Sequence, residues 1–105
     1  MHAYLFNIKT FDQATRHLTR VERSLYRDLI DLYYDTEQPL TAVDFDYLAR
    51  RVLARTDDEK AALQCVLDEF FERTGDVYSH DYIDNEIERY KANNSQKSIA
   101  GKASA

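Results

Sequence analysis

Three times in the first sixty residues a threonine is followed three positions on by an acid, and an apolar stripe of helical period comes next. The spacing has a physical basis. A threonine hydroxyl at a helix start accepts a hydrogen bond from the backbone amide three residues on. The acid at that position reaches back to the threonine's own amide. A chain that marks helix starts so firmly, with two glycines and one proline in 105 residues, is not a turn-rich sandwich or barrel.

Thr19-Arg-Val-Glu22 opens the first of these helices. Val21, Leu25, Leu29 and Leu32 follow on one face, Tyr33 widens the stripe, and Pro39 requires a stop near Thr36. Thr41-Ala-Val-Asp44 opens a shorter helix with Phe45, Leu48, Ala49, Val52 and Leu53 inward. Thr56-Asp-Asp-Glu59 opens a third, with Leu63, Val66, Leu67 and Phe70 inward. The aromatic residues 3–8 read as an extended segment packed on the helices. Phe71–Thr74 and Val77–His80 read as short strands around a Gly75-Asp76 turn. Asp81 then caps a last helix with Ile83, Ile87 and Tyr90 inward.

Helix, helix, helix, hairpin, helix makes the expected fold class mainly α with a short β-hairpin, winged helix-turn-helix-like. A plain helical bundle with an added hairpin is the alternative. Residues 1–92 form the expected domain, and the polar residues 93–105 a tail or the start of a linker.

Enzyme chemistry finds little support. Glycines only at 75 and 101 leave no phosphate-cradling loop, and His2, His17 and His80 lack metal-ligand spacing. His80-Asp81 reads as a wing residue beside a helix cap, and the acids Asp44 and Asp46 read as facing water. Cys65, the single cysteine, reads as a small core or boundary residue and points to a reducing, cytoplasmic setting. No apolar run can span a bilayer, and the N-terminus lacks the features of a secretory signal. The expectation is a binding module without catalytic residues, metal or cofactor.

The net charge of −5 is unevenly spread. Residues 1–56 carry eight Lys/Arg against eight Asp/Glu, and residues 57–105 carry six against eleven. The concentrated positive charge is arginine in two clusters. Arg20, Arg23 and Arg27, preceded by Arg16, share a helix face, where Asp31 stands four residues beyond Arg27. Arg50, Arg51 and Arg55 lie at the end of the second capped helix, next to the turn of a helix-turn-helix. Arginine suits phosphate because its fork donates two parallel hydrogen bonds. Against groove reading, the third capped helix opens on Asp57, Asp58 and Glu59, which would repel phosphates.

Residues 17–40, His17-Leu-Thr-Arg-Val-Glu-Arg-Ser-Leu-Tyr-Arg-Asp-Leu-Ile-Asp-Leu-Tyr-Tyr-Asp-Thr-Glu-Gln-Pro-Leu40, resemble the YdaU-like family of prophage proteins. The resemblance extends to Val66–Phe71, Asp84–Tyr90 and Ala100–Ala105. The chain departs from it at Lys9-Thr10-Phe11, where many members carry Gly-Asp-Tyr, and at Tyr78, where members often have tryptophan. The resemblance implies a part in the initiation or organisation of phage DNA replication. Two expectations follow. The first is DNA binding in replication initiation through Arg50, Arg51 and Arg55, with Arg23 and Arg27. The second is a protein-interaction module docking on a replicative helicase, a helicase loader or a host protein, and a homo-oligomer is compatible with either.

Overall fold

Two of the three threonine–acid pairs are complete capping boxes in the computed structural model, which describes residue 1 and residues 3–104, the side chains of 94–104 excepted. Thr19 accepts from the Glu22 amide at 3.1 Å while Glu22 accepts from the Thr19 amide at 2.9 Å. Thr56 and Glu59 repeat the arrangement at the same distances. In both boxes the backbone amide of the threonine leads in holding the glutamate below the ordinary carboxylate range.

The elements run α1 (Ile8–Thr15), α2 (Arg20–Thr36), β1 (Leu40–Thr41), α3 (Phe45–Arg51), α4 (Asp57–Phe70), β2 (Glu72–Thr74), β3 (Val77–Ser79) and α5 (Asp81–Ser104). The chain is therefore mainly helical with a small antiparallel sheet. Central helix α2 packs most extensively on α4 and also against α5. Leu29, Tyr33, Leu63, Val66 and Leu67 are fully buried between these helices, and Leu48, Ala49, Tyr78, Ile83 and Ile87 close around them. Each of the leucine, isoleucine and valine side chains contributes about 1.5–3 kcal/mol by leaving water.

Several expectations need correction. The extended segment ends at Asn7, because its side chain accepts from the Thr10 amide at 2.9 Å and caps the unexpected α1. The second Thr–acid pair is not a capping box. Asp44 itself caps α3, accepting from the Tyr47 amide at 3.0 Å, and Thr41 lies in β1 with its hydroxyl accepting from the Val43 amide. Leu53 faces solvent at 62% exposure, because the chain turns there with φ of 62°. Val21 and Tyr90, expected inward, and Cys65, expected at the core or its boundary, are exposed. Asp81 is the first residue of α5 rather than its cap. The Asp84 amide bonds instead to the His80 carbonyl at 2.9 Å.

The hairpin is there, with Gly75 at its turn in the left-handed conformation, φ 61°. It carries a third strand that the sequence pattern did not suggest. β3 lies between β1 and β2, with Tyr78 opposite both Leu40 and Arg73. The Ala42 amide adds a bond to the Asp76 carbonyl at 2.7 Å. The segment between α2 and α3 is thus tied to the hairpin.

Where β3 passes into α5, the buried Tyr33 makes a polar joint. Its hydroxyl donates to Asp84 Oδ1 at 2.5 Å and accepts from the His80 amide at 3.2 Å. The N-terminal segment is held on α2 by rings. Tyr4 stacks on Tyr34 at 3.9 Å between centroids, and its hydroxyl bonds to Asp31. No helix among the described residues is long and apolar enough to cross a membrane. The expected tail from residue 93 falls largely outside the residues whose side chains are described.

Candidate functional site

The α3–α4 connection gathers the second arginine cluster. Asp44 starts α3, and Val52, Leu53 and Ala54 turn the chain into the Thr56 cap of α4. Val52 and Ala54 are buried, which anchors the turn and leaves the side chains between and beside them outside. Arg50 and Arg55 line one depression of about 610 Å³ together with Lys60 and Asp46. Arg51 is directed elsewhere, its guanidinium 5.9 Å from the centroid of the Tyr47 ring. Among the described residues none of Arg50, Arg51, Arg55 and Lys60 is ion-paired.

Lys60 is the residue that sequence reasoning missed. It stands just after Asp57, Asp58 and Glu59 and so is hidden in an acidic run. Helical side chains lean toward the N-terminus, which carries Lys60 back over the turn to Arg55. Glu59 is occupied by the cap, where its Oε1 accepts from the amides of both Thr56 and Arg55. Asp57 and Asp58 stay exposed at the tip of α4. The arrangement therefore offers three cations against Asp46 within the depression, with two free carboxylates at the helix end nearby.

The first cluster has a different environment. Arg16, Arg20, Arg23 and Arg27 line a second depression, of about 580 Å³, on α2 and the α1–α2 turn. Arg23 donates to Thr15 Oγ1 and to Asp12 Oδ1, both at 3.0 Å, and so fastens α1 to α2. Arg27 pairs with Asp31 at 3.5 Å and lies over the Phe6 ring, 3.5 Å from its centroid. Arg16 pairs with Asp12 as well, at 3.2 Å. Exposed ion pairs of this kind contribute little to stability, about 0–1 kcal/mol. Their effect here is to position the guanidiniums. The two arginine clusters lie on separate elements and share no lining residue.

Other titratable groups are shifted by burial or lie at the surface. His80 is half-buried, its Nε2 3.0 Å from the Tyr26 hydroxyl, and burial holds its pKa below the usual 6.5. Burial likewise pushes Tyr26 and Tyr34 up to about 12. His17 contacts Glu69 on the surface. Among the described residues no three His, Cys, Asp or Glu side chains group as metal ligands.

Comparison with curated proteins gives no match, and comparison with solved structures gives none. One family model does match, over residues 2–88, which takes in α1 to α4, the sheet and the first turns of α5. The chain belongs to that family, described as "Protein of unknown function (DUF1376)".

Proposed function

We propose that this domain is a winged-helix module that binds DNA through phosphate contacts at the α3–α4 turn and serves phage or prophage replication. The winged-helix reading is supported by the order α2, β1, α3, α4, β2, β3 and by a sheet in which β3 lies between β1 and β2. In that reading α3 and α4 are the helix-turn-helix and the β2–β3 hairpin is the wing. The replication role is supported by the resemblance of residues 17–40 to the YdaU-like prophage proteins.

The observation that carries the DNA reading is the convergence of Arg50, Arg55 and Lys60 on one depression without ion-pair partners among the described residues. Three such cations favour phosphate. Asp57 and Asp58 oppose insertion of the α4 tip among base edges, so binding follows the backbone rather than sequence. Arg51 extends the contact beside Tyr47. Arg23 and Arg27 serve chiefly to hold the N-terminal segment and α1.

The test is binding to a labelled random duplex across a salt series. Wild-type affinity falls as salt rises, and removal of one phosphate-binding cation makes the log–log slope less negative by about 0.9. Arg50→Ala, Arg55→Ala and Lys60→Ala each weaken binding and flatten the slope by about that amount. Unchanged slopes in all three variants refute the site. The second reading, docking on a helicase, helicase loader or host protein, is favoured by Leu5 and Ile8, apolar side chains 91% and 74% exposed. A complex with such a partner that persists in Arg50→Ala and is lost in Leu5→Asp favours it.

A further inference from the structure

A cavity of about 270 Å³ lies between the N-terminal segment, α1, α2 and the start of α5, apart from the α3–α4 turn. Rings form most of its wall: Tyr4, Phe6, Phe11, Tyr26, Tyr34 and Tyr82. Flat walls and a volume at the small end of ligand pockets suit one planar ring system better than a flexible aliphatic chain. His80 also lines it, its Nε2 3.0 Å from the Tyr26 hydroxyl. A nucleobase presents flat faces that stack on such rings.

Positive charge adjoins the rings. Phe11 belongs to this cavity and also to the neighbouring depression lined by Arg16, Arg20, Arg23 and Arg27. Among the described residues these four guanidiniums pair only with Asp12 and Asp31, and Arg20 has no partner. The rim is therefore net positive next to an aromatic hollow. We infer that this is a nucleotide site, with the base among the rings and the phosphate on the arginine rim. The nucleotide is either free or an unpaired position of a strand, and both present the same chemistry. The inference goes beyond duplex binding at the α3–α4 turn and does not rest on it.

The experiment is an NMR titration of the isotope-labelled protein with AMP, with adenosine and with a four-residue oligodeoxyadenylate. AMP shifts the resonances of Thr10, Tyr26 and His80 and binds about tenfold more tightly than adenosine. Arg20→Ala removes most of that advantage and leaves adenosine binding as it was, a split that a merely structural role would not give. Ala14→Trp, placed on the exposed side of α1 where Ala14 lines the cavity, fills the hollow and abolishes both. Should that variant lose its dispersed spectrum, Tyr82→Ala removes a half-exposed wall and weakens both ligands at least fivefold. Tighter binding of the oligonucleotide than of AMP, with the same residues shifted, assigns the site to a strand, and weaker binding assigns it to free nucleotide. No shifts with AMP at 10 mM, or shifts that persist in Ala14→Trp and Tyr82→Ala, overturn the inference.

Discussion

Tyr33 and Tyr34 are neighbours on α2, both buried, and differ in what their hydroxyls do. Tyr33 donates to Asp84 at 2.5 Å and accepts from the His80 amide at 3.2 Å, and burial and that carboxylate together raise its pKa. No partner accepts from or donates to the Tyr34 hydroxyl among the described residues. Tyr33→Phe keeps the ring and removes one bond to a charged group, about 1.5–3 kcal/mol, and one to a neutral amide, about 0.5–1.5 kcal/mol. Asp84 is half-exposed and recovers part of its loss from water, so the net cost is about 2–3 kcal/mol. With a urea m-value of about 1–3 kcal/mol/M for a small domain, the midpoint falls by roughly 0.7–3 M. Tyr34→Phe stays within about 0.5 kcal/mol of wild type. The assay is urea unfolding followed by circular dichroism. A cycle with Asp84→Ala isolates the pair, with a coupling of about 1 kcal/mol expected between groups in contact. Equal effects of the two tyrosine variants, or no coupling to Asp84, would refute the assignment of Tyr33 as the polar joint.

The capping difference is measurable in the same way. Thr56→Ala costs about 1 kcal/mol through loss of the box, and Thr41→Ala, which only loosens the turn at Val43, costs a few tenths. Urea midpoints that fall equally would contradict the assignment of Asp44 as the α3 cap. For His80, burial lowers the folded pKa below 6.5 against the opposing pull of Asp84 and Asp81. Between those two values the unfolded chain binds more protons, so stability is full above pH 6.5 and declines as pH falls toward the lowered value. His80→Gln removes this slope, and urea midpoints from pH 7.5 to 5 that are parallel in the two proteins would show that His80 does not titrate in this window.

The helices were largely legible because their signals are local. A hydroxyl and a carboxylate three residues apart specify an N-terminus wherever the rest of the chain lies, and Thr19 and Thr56 needed no tertiary context. Thr41–Asp44 has similar letters, but pairing of β1 with β3 claims Thr41, and this depends on Tyr78, far along the chain. A two-residue strand has no period to detect, so the sheet beyond its hairpin was invisible. Helix α1 was missed for a related reason. Its inward residues are few, and Asn7 is a cap without an acid partner. In the candidate site the arginines were visible as a cluster, but not their division. Arg50 and Arg55 face one hollow with Lys60, while Arg51 lies by Tyr47, a partition set by how the chain turns at Leu53. The aromatic cavity needs four segments brought together, and no spacing in one of them announces it.

The place of β3 in the middle of the sheet has a consequence for motion. A free hairpin swings on its own two stems, but this one is fastened on its outer side to the strand leading into α3. Displacing the hairpin therefore breaks the Leu40–Tyr78 pairing or carries the start of α3 along with it. A surface that touches both the hairpin and the α3–α4 turn meets two elements already fixed in mutual orientation. The loss of freedom that would otherwise oppose a two-point contact has been met during folding, and affinity depends on the contacts themselves.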